Sequence, residues 1–166
     1  RKDIIALMRK ANDLGVTLYD TADVYGAGHN EILVGEALKP IRDKVVILTK
    51  LNPEVNPITL PGKGTAKEQI ESRLDESLKR LDTEYVDIYM FHRVPQDVTL
   101  AECAEAMAGL IKKGKIRSWA MSRATEAQIR EANAVCPLAV IQNEYSMMVR
   151  TPEQDGVLKA CDELGI

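Results

Sequence analysis

Hydrophobic positions along the chain switch repeatedly between two spacings. Ile4, Leu7, Met8, Ala11 and Leu14 recur at three- and four-residue intervals, the spacing of one helical face, and Gly15 follows as a stop. Val16-Thr17-Leu18-Tyr19-Asp20 is short and β-prone. Asn30 is a candidate cap for a second helix running to about Lys39, which Pro40 would end. Val45-Val46-Ile47-Leu48 reads as a fully apolar strand, and a Pro-, Asn- and Gly-rich loop spans Leu51 to Gly64. Thr65 and Glu68 form a capping box, followed by Ile70, Leu74, Leu78 and Leu81 on one face. The cycle then repeats: a strand over Val86 to Phe91, a helix capped by Thr99 and Glu102 and stopped by Gly114, a strand over Ile116 to Met121. A helix opened by Thr125 and Gln128, a strand over Leu138 to Ile141 and a last helix from Thr151-Pro152 to Gly165 complete the pattern.

Six helices and five strands in strict alternation predict parallel strands joined by helical crossovers. The strands are apolar nearly throughout, as strands buried on both faces are. A doubly wound open sheet and a TIM-type barrel both fit. A complete (β/α)8 barrel needs about 250 residues, and the chain has 166. No glycine-rich phosphate turn follows the first strand. The expectation is therefore one partial barrel domain over residues 1–166, lacking a first strand and the last two βα units. A five-stranded open sheet is the alternative.

Composition narrows the picture little. Apolar residues make up 45% and charged residues 28%, an ordinary globular balance. The net charge of −3 and the scattered basic residues give no footprint for nucleic acid, and no apolar run approaches a membrane span. The opening Arg1-Lys2-Asp3-Ile4-Ile5 lacks a signal-peptide pattern and reads as a helix start. Cys103, Cys136 and Cys161 are odd in number and widely spaced, which argues against a disulfide framework or zinc knuckle. The expected location is cytoplasmic.

Candidate chemistry sits where each apolar strand stops: Asp20, Lys50, His92, Ser122 and Gln142. In a parallel sheet these ends share one face, and in a barrel that face is the catalytic mouth. Singly, each has a bland reading; Asp20 could cap a turn and His92 could be a structural histidine. A titratable set at successive strand ends is harder to explain that way. Tyr25 lies just beyond the first of them. A phenol is neutral at pH 7, and a neighbouring ammonium favours its anion. With a carboxylate beside the ammonium and a histidine within reach of the substrate, the set makes a general acid for a developing alkoxide. It holds no strong nucleophile, and one histidine without clustered carboxylates or thiols does not make a metal site. An external hydride donor is the natural partner.

Gly15 to Gly26, with the segment Asp20-Thr21-Ala22-Asp23-Val24-Tyr25-Gly26 directly after a short strand, resembles the signature stretch of the aldo-keto reductase family. Asn30-Glu31, Thr49-Lys50, the run Ser77 to Leu81 leading to Tyr85 through Tyr89 and His92, the run Lys112 to Arg117, and Gln142 with Glu144-Tyr145 are similar to later family segments, in order. The resemblance implies a (β/α)8 barrel that reduces a small aldehyde or ketone with NADPH, bound extended without a Rossmann motif. It implies Tyr25 as proton donor, Lys50 as the group that depresses its pKa, Asp20 as the lysine's partner and His92 as an orienter of the carbonyl. Ser122 and Gln142 would hold the nicotinamide carboxamide, with Asp20 beside them. Arg123 stands where the family often has Asn or an acid, and joins the cofactor positions on its place in the motif alone. The loop from Asn52 to Gly64 is a candidate substrate wall. A cofactor-sensing subunit with little turnover, or an inactive fragment, are the competing readings; oligomeric state has no signature in the sequence.

Overall fold

The structure, a computed structural model, describes residues 1–58 and 64–166. The candidate substrate wall therefore lies partly outside the described residues. The elements run α1 (Lys2–Asp13), β1 (Leu18–Asp20), α2 (His29–Leu38), a 3₁₀ turn (Lys39–Lys44), β2 (Val46–Leu51), α3 (Ala66–Leu81) and β3 (Val86–Phe91). They continue with α4 (Leu100–Lys112), β4 (Ile116–Ser122), α5 (Glu126–Val135), β5 (Val140–Gln142), a second 3₁₀ turn (Thr151–Glu153) and α6 (Val157–Leu164).

All five strands are parallel and stand in sequence order. A doubly wound sheet reverses its order at a switch point; this one never does. The two faces also differ. Ile47, Tyr89, Phe91, Trp119 and Met121 share one large core with Ile70, Leu74, Met107 and Ile129 from the helices. Leu48, Ile88, Met90 and Ala120 form a separate small cluster joined only by the strand residues Val46 and Val140. Helices thus cover one face and strands meet only each other across the other. That is the layering of a barrel wall, here five strands of an incomplete (β/α)8 barrel. The wall is curled: Gln142 of β5 donates to Asp20 of β1 at 2.8 Å, joining the two edge strands.

Helix starts follow the sequence closely where the signal is chemical. Thr65, Thr99 and Thr125 each cap a helix reciprocally with Glu68, Glu102 and Gln128. Two expectations fail. Asn30 does not cap α2; the cap is Gly28 in the left-handed region (φ 86), with no side-chain bond, and Asn30 lies inside the helix. Thr151-Pro152 opens only the isolated 3₁₀ turn, and α6 starts at Val157 after a left-handed Gly156. Gly156 holds a left-handed backbone that favours glycine, and a side chain there would also crowd the carboxylate of Glu126 at 2.1 Å. The expected helix α1 is present but buries no residue fully, and Leu7 and the C-cap Leu14 are exposed. Ile5 and Met8 are what pack, because the helix leans on the core by that edge.

Candidate active site

Strand register decides which side chains meet. Asp20 pairs with Leu48, Lys50 with Met90, Met90 with Ala120, and Ser122 with Gln142. Side chains two residues apart share a face. Asp20, Lys50, His92, Ser122 and Gln142 therefore all belong to the inner face, one step beyond the Leu48–Ile88–Met90–Ala120 cluster. They form its polar rim at the carboxyl ends of the strands.

Lys50 is the anchor of this rim. Its side chain is 1% exposed, and its ammonium forms an ion pair with Asp20 and donates to the carbonyl of Thr21 at 2.9 Å. A buried cation is costly unless paired and hydrogen-bonded, and both conditions are met here. The second oxygen of Asp20 accepts from Gln142, so three predicted residues form one chain of bonds. The Lys50 nitrogen stands 5.1 Å from the ring centroid of Tyr25. The His92 ring meets the Tyr25 ring edge-on, with centroids 5.7 Å apart and planes at 83°. Tyr25 itself is 39% exposed.

The loop carrying Tyr25 continues along β2. Thr21 N–H donates to Leu48 O at 2.9 Å, Asp23 N–H to Lys50 O at 3.1 Å, and Tyr25 N–H closes a turn on Ala22 O at 3.1 Å. Burial lowers the pKa of His92, and the charges of Lys50 and Arg93 lower it further. The shift favours the neutral imidazole near pH 7. Its Nδ1 is buried with no partner among the described residues. Asp23 is raised instead, chiefly by burial; one carboxylate oxygen accepts from Asn52 N–H at 3.4 Å and the other is buried without a partner among the described residues.

Arg123 stands apart from the Tyr25 cluster. Its backbone is left-handed (φ 56) and its N–H donates to Gln142 O at 3.2 Å. Its side chain lines a neighbouring cleft of about 400 Å³ with Asn143, Glu144 and Asp155. Asn143 crosses from β5 to bond both the N–H and the carbonyl of Ala124, at 3.1 and 2.9 Å. Sequence reasoning missed Asn143 and the carbonyl of Thr21, because backbone acceptors and cross-strand amides carry no motif. Trp119, an obvious fluorescent reporter, lies on the outer face beside Phe91 and donates to Cys136 O. It reports on the helix layer, not on the mouth.

The inner face of this barrel-type α/β wall thus brings a buried lysine–carboxylate pair, a tyrosine and a histidine together at its strand ends. The profile of the aldo/keto reductase family matches residues 1–166, and the chain belongs to that family. It is 37% identical over 166 residues to a probable aldo-keto reductase 1 of Glycine max, covering 99% of this chain and 48% of that protein. A thermostable aldo-keto reductase solved with the inhibitor epalrestat superposes with a TM-score of 0.87 at 32% identity, over 99% of this chain and 58% of that one. An aldo/keto reductase from Klebsiella pneumoniae, solved with NADP and acetate, gives 0.85 at 31% identity, over 99% and 56%. The chain thus spans about half the length of these relatives.

Proposed function

We propose that the protein containing this chain reduces an aldehyde or ketone to the alcohol, with hydride from NADPH and a proton from Tyr25. The observation that carries the reading is the buried Lys50 ammonium, 5.1 Å from the Tyr25 ring and held by Asp20. The Klebsiella pneumoniae relatives solved with NADP and with NADPH support the choice of cofactor.

The residues present fit the nicotinamide end of such a cofactor. The hydroxyl of Ser122 and the amide oxygen of Gln142 make no bond to another described residue, and the two are register partners. Ser122 would donate to the carboxamide oxygen, and Gln142 would accept from its N–H₂ while its own N–H₂ holds Asp20. Arg123, next in the chain, would border the same group. When bound, the nicotinamide supplies the hydride. In this reading the neutral His92 donates to the substrate oxygen, and Tyr25 gives that oxygen its proton as the carbon is reduced. The charge left on the phenol oxygen then faces Lys50, and Asp20 balances the ammonium.

The test is loss of NADPH absorbance with a panel of aliphatic and aromatic aldehydes and ketones, on the full-length polypeptide. Tyr25→Phe should lower turnover by at least about a hundredfold while the cofactor still binds. Full turnover in that variant would remove the mechanism.

A further inference from the structure

Behind the loop that carries Tyr25, one residue of α2 touches both of its ends. The backbone N–H of Asn30 donates to the carbonyl of Tyr25 at 3.2 Å. Its side-chain oxygen accepts from the hydroxyl of Thr21 at 2.7 Å. Thr21 is 0% exposed, and its carbonyl is one of the two acceptors that hold the Lys50 ammonium. The helix has Gly28 as its cap, so the Asn30 amide is not spent on capping. An inward-reaching amide in the first turn of a helix, bonded to a buried loop hydroxyl, needs another reason.

We propose that Asn30 is a positioning residue, a clasp that sets the Tyr25 phenol against the Lys50 ammonium. The inference rests on the reading of Tyr25 as proton donor. Two acceptors, Asp20 and Thr21 O, fix the direction of the tetrahedral ammonium. One of them, the Thr21 carbonyl, belongs to a residue whose hydroxyl Asn30 tethers. The same asparagine holds the far end of the loop at Tyr25. A single bond, Thr21 Oγ1–H to Asn30 Oδ1, thus couples the proton donor to the cation facing it. Thr21 N–H to Leu48 O also ties the near end of this link to β2, and Asp23 N–H to Lys50 O secures the middle, but neither bond reaches Tyr25.

The experiment uses the full-length polypeptide, NADPH and the most active aldehyde of the panel above. Asn30→Ala and Thr21→Val each remove the bond; Thr21→Ser keeps it. Both disruptive variants should lower kcat by about a hundredfold, with KM and NADPH affinity in place, as a misplaced reacting group does. Their double variant should be no slower than the worse single, and Thr21→Ser should retain the wild-type rate. With ring-labelled tyrosine, the ¹³Cζ resonance assigned to Tyr25 should move in the disruptive variants and stay put in Thr21→Ser. If Asn30→Ala does not fold, Thr21→Val carries the test, since it leaves α2 intact. Wild-type kcat in the variants, with Tyr25→Phe inactive, overturns the clasp alone. Wild-type turnover in Tyr25→Phe overturns the proposed function and the clasp with it.

Discussion

Asp23 and Lys50 show how burial acts on single charges. Lys50 is paired, and its desolvation is offset by Asp20 and the Thr21 carbonyl. Asp23 is close to Glu31, which raises its pKa further, while Asn52 N–H and the more distant Arg80 lower it. The net shift is upward, so folding favours the protonated acid. Its stabilising contribution is complete below the ordinary carboxylate value of 3.8 and is lost as pH rises through the raised folded value. Asp23→Asn removes this titration. The stability of wild type relative to Asp23→Asn should therefore decline as pH rises from about 4 towards neutrality, measured by urea melts at several pH values. A constant gap would show that the carboxyl is not desolvated. Of the candidate site residues, Asp20, Lys50, His92 and Tyr25 were legible because strand ends and the D-T-A-x-x-Y-G segment announce them. Thr21, Asp23 and Asn30 make their contacts there through a backbone carbonyl, a loop amide and a tertiary hydroxyl bond, none of which has a linear signature.

At the scale of elements, α2 and α3 approach closely at Gly35. A methyl group on Gly35 would lie 2.2 Å from the carbonyl oxygen of Leu81, a backbone atom that cannot swing aside. Gly35→Ala should cost about 1–3 kcal/mol, as overpacking does, although alanine is the better helix former. An unchanged denaturation midpoint would mean that the helices separate freely. Beside this contact Arg80 donates to the fully buried Glu31 at 2.6 Å, and Glu31 accepts from Thr49, the neighbour of Lys50. Arg80→Met strands the Glu31 charge and should destabilise by about 3 kcal/mol or more, since breaking a buried pair costs more than the pair contributes. Replacing Glu31 with Gln in the same protein should recover part of that loss. The capping boxes of α3, α4 and α5 were readable because both partners lie within four residues. The start of α6 was not: it follows a left-handed Gly156 packed beside Glu126, thirty residues earlier in the chain.

In the whole molecule, nearly all helix packing falls in one continuous core on the outer face of the sheet. Trp119 sits in it, fully buried. Its emission should be shielded from iodide in the native protein. The shift on urea unfolding should coincide with the loss of far-UV circular dichroism, as one cooperative core requires. Two separate transitions would mean that the strand layer and the helix layer melt independently. The inner face is different: its small apolar cluster ends in the polar rim of Asp20, Lys50, His92, Ser122 and Gln142. This asymmetry is what turns five strand ends into one site.

The sequence by itself determined the alternation of helices and strands, the capped helix starts and the polar residue at each strand end, because those depend on periodicity and on contacts within a few positions. Only the tertiary structure decided that the strands stand in unbroken order, that the sheet curls until Gln142 reaches Asp20, and that Asn30 serves the loop rather than its own helix. These are contacts between residues far apart in the chain or between a side chain and a distant backbone. Their energy depends on where elements come to lie, and no local pattern encodes that.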